Sequence, residues 1–317
     1  VIHAMVSNGS IRSWGDEGVE LGNASTAVDL GVASCAGFGV ALGQNSSAVR
    51  CRVVSNAAGG IVTGGDCIVQ SCSAQSNGGI GGIAAFNGCS VLDCTAVTNT
   101  GNGISTGHTS TVSRCSSVDS TLAGFSLGSS TTVSECAASF NDTNGFTGLD
   151  GVTISNCTAA SNFGSGFSLA NGAQVSASTA RLNSVDGFNL ADGGAITGCS
   201  AYQNQGDGIS VQTRCHVLSN MCSGTSADVG TVGIRVTGND NRIDRNNLSG
   251  RERGLFVTST GNLIIANSAS RNTINWDIAV FNSGQFVATV DTGGAVSGRA
   301  GGSPIGSTDP WVNFSFE

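Results

Sequence analysis

Gly124-Phe125-Ser126-Leu127-Gly128-Ser129-Ser130-Thr131-Thr132-Val133-Ser134-Glu135-Cys136-Ala137-Ala138-Ser139-Phe140-Asn141-Asp142-Thr143-Asn144 is one copy of a 21-residue unit, and Gly145-Phe146-Thr147-Gly148 opens the next. Outward from this copy, the leading glycine recurs at Gly18, Gly39, Gly60, Gly82, Gly103, Gly166, Gly187, Gly208, Gly233 and Gly254, in steps of 21 residues apart from one of 22 and one of 25. An apolar residue follows each glycine, from Val19 and Val40 through Phe125, Phe146, Phe167 and Phe188 to Ile234 and Leu255. Two places further on stand Leu21, Leu42, Leu127, Leu169, Leu190, Val211, Val236 and Val257. That in–out–in alternation is the period of a strand with one buried face.

Twelve residues after the glycine comes a second column: Leu30, Cys51, Cys72, Cys94, Cys115, Cys136, Cys157, Ser178 and Cys199. Small residues follow it at Ala74, Ala96, Ala138, Ala159, Ala180 and Ala201, and then an asparagine column at Asn56, Asn77, Asn99, Asn141, Asn162, Asn183 and Asn204. A unit of this length cannot bury its own face. Stacked on a neighbour it makes a continuous core, with equivalent side chains about 4.8 Å apart along the stack. Asparagines in register hydrogen-bond along such a stack and satisfy turns that would otherwise be buried and unpaired. The glycine corner calls for a positive φ or a close backbone approach, and Asn275 continues that column. The expected fold is all-β, a parallel β-helix of about twelve coils over residues 1–280, followed by a capping segment over 281–317.

Composition agrees. The chain has 39% hydrophobic and only 11% charged residues, too little charge for a disordered polymer. Its two prolines, Pro304 and Pro310, lie at the far end, leaving the repeat free of a residue that removes a ladder donor. All 13 basic residues are arginine and the net charge is −8, which disfavours nucleic acid and anionic membranes as partners. No apolar run approaches the roughly 18–20 residues of a membrane-spanning helix.

These columns resemble the right-handed parallel β-helix repeat family, the broad class of pectate-lyase-like enzymes, phage tailspikes and secreted bacterial surface proteins, over roughly residues 6–280. The resemblance implies a scaffold that acts outside the cytoplasm on, or in contact with, a polysaccharide or cell-surface glycan. It implies no particular chemistry, because one scaffold hosts many functions. No hallmark motif of pectate lyases or polygalacturonases is present, so no catalytic residue is carried over. Val1 stands mid-pattern, which reads as a processed or truncated product.

Seven of the 12 cysteines share one inward column and none forms a CxxC pair, which argues against zinc. Side chains stacked in parallel do not aim at one another as a disulfide requires, so buried free thiols acting as small apolar residues are expected. Cys67 with Cys89, on adjacent coils, and Cys215 with Cys222, flanking the irregular step, are the better disulfide candidates.

The irregular step inserts residues between Cys222 and Val232 and predicts a bulge. Charge gathers after it, with seven of the 13 arginines at or beyond Arg235. Asp240, Arg242, Asp244, Arg245, Arg251, Glu252 and Arg253 form the candidate ligand-binding groove, with arginines gripping sugar carboxylates. The plainer alternative is a solvated end with charges pairing across coils. Asp93, Arg114 and Glu135 alternate in sign up one column, as cross-strand pairs should. Asp186 and Asp207 stack as like charges beside Asn144 and Ser165, and Asp150 and Asp192 flank Asn171, so Ca2+ is a conceivable cofactor. His3, His108 and His216 stand alone. At the ends, Trp311, Phe314 and Phe316 read as a plug. The exposed first coil, with Ile2, Met5 and Val6, suggests head-to-tail self-association, whereas a phage-type fibre would trimerise. A structural, adhesive or glycan-contacting protein is expected, with a polysaccharide lyase, epimerase or hydrolase using the groove near residues 222–253 as the alternative.

Overall fold

The computed structural model describes residues 3–225, 230–284, 286–288 and 311–316. It is an all-β parallel solenoid of about thirteen turns with no helix among the described elements. Its residues fall into two compact units, 1–164 and 165–317.

Each full turn has one strand beginning at the glycine corner and two short strands beyond it. In the first unit the corner strands run from Val19–Leu21 through Phe38–Leu42, Gly59–Thr63, Gly81–Ala85, Asn102–Thr106 and Phe125–Leu127 to Phe146–Gly148. In the second they are Phe167–Leu169, Phe188–Leu190, Ile209–Val211, Val232–Val236, Arg253–Val257 and Ile274–Ile278. Ile274–Ile278, which contains Asn275, is the turn beyond the twelve counted from glycines. All pairing is parallel and in register, so like stacks on like: Phe125 lies on Phe146 with ring centroids 4.7 Å apart, and Phe167 on Phe188 at 4.8 Å.

The glycine corner is explained by close approach. A Cβ on Gly124 would sit 2.8 Å from the Gly145 oxygen and 2.9 Å from the Ala138 Cβ. Positive φ occurs instead on ordinary residues just ahead of the two inward columns: Arg50, Ser71, Asp93 and Arg114 before cysteines, and Ser55, Ser76 and Thr98 before asparagines, all between 51° and 56°. At these bends the column residue's amide finds a side chain of the next turn. Asn56 N donates to Asn77 Oδ1 at 3.1 Å, and Cys51 N donates to Cys72 Sγ at 3.4 Å. Each asparagine then returns a donor, as Asn77 Nδ2 does to Asn99 Oδ1 at 3.1 Å.

The cysteines therefore do more than fill apolar space. From Cys51 to Cys136 each column amide meets the next thiol at 3.4–3.5 Å. Past Ser178 and Cys199 the same column turns into Asn220, Asn246, Asn267 and Asn313, which hydrogen-bond in sequence. Thiol, hydroxyl and amide are interchangeable there because each supplies an acceptor at one bend. All 12 cysteines are buried free thiols. Cys67 and Cys89, singled out as a bridge, stack with the Cys67 amide on the Cys89 sulfur at 3.3 Å. Cys215 and Cys222 belong to different columns, one paired to Asn241 at a turn and the other in the Met221–Ser223 strand.

Two of the three C-terminal aromatics, Trp311 and Phe314, do not cover the core. Asn313–Phe316 adds a parallel strand beside Ser268–Ser270, and Asn313 extends the ladder 46 residues after Asn267. Val312 and Asn313 turn inward, leaving Trp311 and Phe314 49% and 40% exposed; the side chain of Phe316 and the stretch 289–310 lie outside the described residues. So do Ile2 and residues 226–229, where the bulge is expected.

Candidate functional site

The charged run after the insertion is contiguous in sequence but divides around the coil. Arg242 and Asp244 lie on the short-strand side, where Asp244, 2% exposed, accepts Arg242 Nη2 at 2.9 Å with Arg245 Nη1 at 3.7 Å. Asp240 is in an exposed turn with φ 59°. Arg253 begins a corner strand on another face, with Glu252 just ahead of it. Arg251, expected to grip a sugar, is fully buried at 0% exposure. Its place just after Gly250 puts it in the asparagine column, where its amide donates to Asn272 Oδ1 at 3.0 Å, and its guanidinium points inward. The described residues of this run therefore do not share one face.

A different group does form, on the outer face of the corner strands in the second unit. Ser210, Arg235, Phe256 and Asp277 stand in register in one outward row, with Arg253 beside them. Asp207, in the turn before Ile209–Val211, takes both Nε and Nη2 of Arg235 and also the Val232 amide at 3.0 Å. The guanidinium carbons of Arg235 and Arg253 lie 5.1 and 4.6 Å from the centroid of the Phe256 ring. Arg253 Nε is 3.0 Å from Asp277, and Nη2 is 3.7 Å from Glu252. Ring, guanidinium and carboxylate thus alternate over four turns.

The electrostatics follow from this packing. The Asp207 carboxylate, hydrogen-bonded to Arg235, holds that guanidinium's pKa above its ordinary value. Asp186, one turn before Asp207, accepts the Asp207 amide at its Oδ1 at 2.8 Å. Burial pushes the Asp186 carboxyl up, the Asp207 charge adds to this, and the charges of Arg235 and Arg251 oppose it. Among the described residues no three His, Cys, Asp or Glu side chains gather as a metal site. Of the stacked aspartates, Asp186 accepts the Asp207 amide, and Asp207 accepts the Val232 amide and Arg235. His108 Nδ1 accepts the Ser129 amide at 3.0 Å, a turn contact.

Arg235, Phe256 and Asp277 were not marked as a site in the sequence, and Asp207 was singled out only as one of a pair of stacked aspartates. A signal existed: two residues after the glycine, the regular body places Ala84, Ser105, Ser126, Thr147, Ser168, Asn189 and Ser210, and after the insertion that position becomes Arg235, Phe256 and Asp277.

No protein-family model matches the chain, and no curated protein matches it either. Solved structures do. The A-module of the Azotobacter vinelandii mannuronan C-5 epimerase AlgE4 superposes with a TM-score of 0.64 at 13% identity, covering 86% of this chain and 91% of that one. The chain has the fold of the right-handed parallel β-helices. A second such β-helix, the A-module of the A. vinelandii mannuronan C-5 epimerase AlgE6, gives a TM-score of 0.60 at 11% identity over 99% of this chain and 91% of that one. With the Dettilon tailspike protein the TM-score is 0.49 at 11% identity over 89% of this chain, which spans 61% of the tailspike's length. At these identities the likeness is one of fold. Among the described residues of this β-helix no helix is long and apolar enough to cross a membrane.

Proposed function

We propose that this β-helix is a glycan-contacting protein of the extracellular space, and that the Arg235–Phe256–Arg253 face makes the contact. The supporting observation is the convergence on one outer sheet face of an aromatic ring, two guanidiniums and the carboxylates of Asp207 and Asp277. An aromatic face and charge-assisted donors are what a hydrated sugar needs for stacking and orientation. Arg253 is the adaptable member: its partner Asp277 is 37% exposed, whereas Asp207 is 9% exposed and bonded to both Arg235 and a backbone amide. Mannuronan epimerases with this fold act on a polysaccharide, which supports the glycan class. Location outside the cytoplasm suits the thiols too, since buried sulfurs do not exchange with external disulfides.

A binding role is preferred to a cutting one because the carboxylates here are already engaged. The test is titration calorimetry with alginate oligosaccharides and with a neutral glucan. Phe256→Ala and Arg253→Ala should each weaken binding about tenfold, consistent with a contact of about 1–2 kcal/mol, while Arg114→Ala leaves it unchanged. Equal binding by all variants sinks the assignment. Release of ultraviolet-absorbing unsaturated sugars by the wild type alone would replace it with a lyase.

A further inference from the structure

The insertion breaks the asparagine column. The column runs through Asn183 and Asn204, and its next member by spacing is Thr225, which is exposed. Elsewhere a column asparagine reaches back one turn to a carbonyl, as Asn204 Nδ2 does to Ala180 O at 3.0 Å. Arg251 occupies the column one turn after Thr225 and reaches further. Its Nη1 donates to Asn204 O at 2.8 Å and to Gly206 O at 3.0 Å, and its Nη2 to Ser223 O at 3.3 Å. Gly224 is needed for that path, since a Cβ there would meet Arg251 Nε at 2.5 Å.

Two of the carbonyls so held, those of Asn204 and Gly206, belong to the turn that presents Asp207, and the third ends the Met221–Ser223 strand. Gly206 immediately precedes Asp207 and Asn204 lies three residues before it; Gly206 also packs against Asp186, whose Oδ1 would lie 2.4 Å from a Cβ at Gly206. From Asp207 the chain of contacts leads outward to Arg235 and then to Phe256.

We propose that Arg251 is the positioning residue of this face. A buried guanidinium reaches two turns back from inside and sets the 204–207 turn so that Asp207 aims Arg235 over Phe256. A buried charge placed on three carbonyls is a costly way to fill a gap in a column that accepts asparagine elsewhere. What asparagine lacks is the length to reach across two turns. The part of this inference that concerns ligand rests on the glycan reading above; the part that concerns the turn does not.

Arg251→Met, which keeps the apolar stem, and Arg251→Lys, which keeps a charge on a single nitrogen, separate the possibilities. The direct readouts are amide exchange at Val232 and Gly208 and the NMR signal of the Arg235 Nε–H. In Arg251→Met, exchange at both amides should quicken by about tenfold or more, as loss of hydrogen bonds from a charged group implies, and the Arg235 signal should move to the position of a solvated arginine. Arg251→Lys should lie between Met and wild type, and it serves as the test if Met does not fold. Amides of Asn56 and Asn141 in the first unit, and of Asn262 in the second, should keep their wild-type rates. Unchanged exchange at Val232 and Gly208 overturns the proposal, and so does equal acceleration throughout the second unit, which is the mark of a merely structural arginine. Alginate oligosaccharide should bind about tenfold more weakly to the Met variant. If the exchange changes stay local but wild type binds no alginate, the positioning role stands and the glycan reading falls.

Discussion

Replacing Cys115 tests whether the thiol column is polar or apolar. Cys115 is 2% exposed; its sulfur accepts the Cys94 amide at 3.4 Å and lies 3.2 Å from Ser113 O and 3.4 Å from Val91 O. Cys115→Val keeps a compact apolar side chain but leaves the Cys94 N–H buried without an acceptor. An orphaned buried donor costs about 1–3 kcal/mol, and because sulfur is a weak acceptor the lower part of that range applies, about 1–2 kcal/mol. Cys115→Ala loses the same acceptor plus one buried heavy atom, about 2–3 kcal/mol in all. Cys115→Ser should cost less than about 1 kcal/mol. A serine hydroxyl already does this job where Ser46 accepts the Ser25 amide at 3.0 Å and Ser110 the Cys89 amide at 3.2 Å. Urea unfolding gives the global ranking, and exchange at the Cys94 amide gives the local one, since stacked repeats need not unfold in a single step. If Val matches wild type while Ser is the most damaging, the column is apolar and the account of the bends is wrong.

Two further outcomes follow from the same geometry. Gly124→Ala should cost about 1–3 kcal/mol or more, because the new Cβ meets the Gly145 carbonyl at 2.8 Å; Gly198→Ala, with φ +62° and nothing within 4 Å, should cost only the roughly 1 kcal/mol of backbone strain, and thermal melts ranking them the other way would refute close approach as the reason for the corner. For pH, the hydrogen bonds from Arg50 to Asp29 and from Arg114 to Asp93 hold both carboxyls below the ordinary value of 3.8, so their contribution is present above that value and lost as pH falls through the folded ones. Asp186 has the opposite sign: burial raises its carboxyl, so its contribution is present below 3.8 and lost as pH rises through the raised value. Asp186→Asn, which keeps an acceptor for the Asp207 amide, should therefore be more stable than wild type near about pH 7 and equal to it near about pH 3, and a gain independent of pH would count against that sign.

Periodicity alone was enough to read the coil. Glycine at 21-residue steps, the cysteine column and the asparagine ladder each report a local requirement repeated on every turn, so a dozen copies reinforce one signal. The site was less legible, because it depends on which face a residue takes after the insertion. Asp244, Arg251 and Arg253 are near neighbours in sequence, yet one lies under arginines on the short-strand side, one is inside and one is on the corner sheet. Asn313 escaped for a related reason: it rejoins the ladder after 46 residues, a gap that no period of 21 anticipates.

What the chain carried in its sequence was the repeat: a strand period of two, a corner too tight for a side chain, and bends that need an acceptor. Those are properties of one turn against an identical neighbour, so they are written 12 times over in the glycine column. What only the tertiary structure decided was where the exceptions go. Whether the arginine after an insertion points to solvent or reaches across two turns depends on which carbonyls the stack brings within its reach, and stacking sets that, not spacing. Arg251 went inside for that reason, and Arg235 and Phe256, unremarkable in the string, became the face.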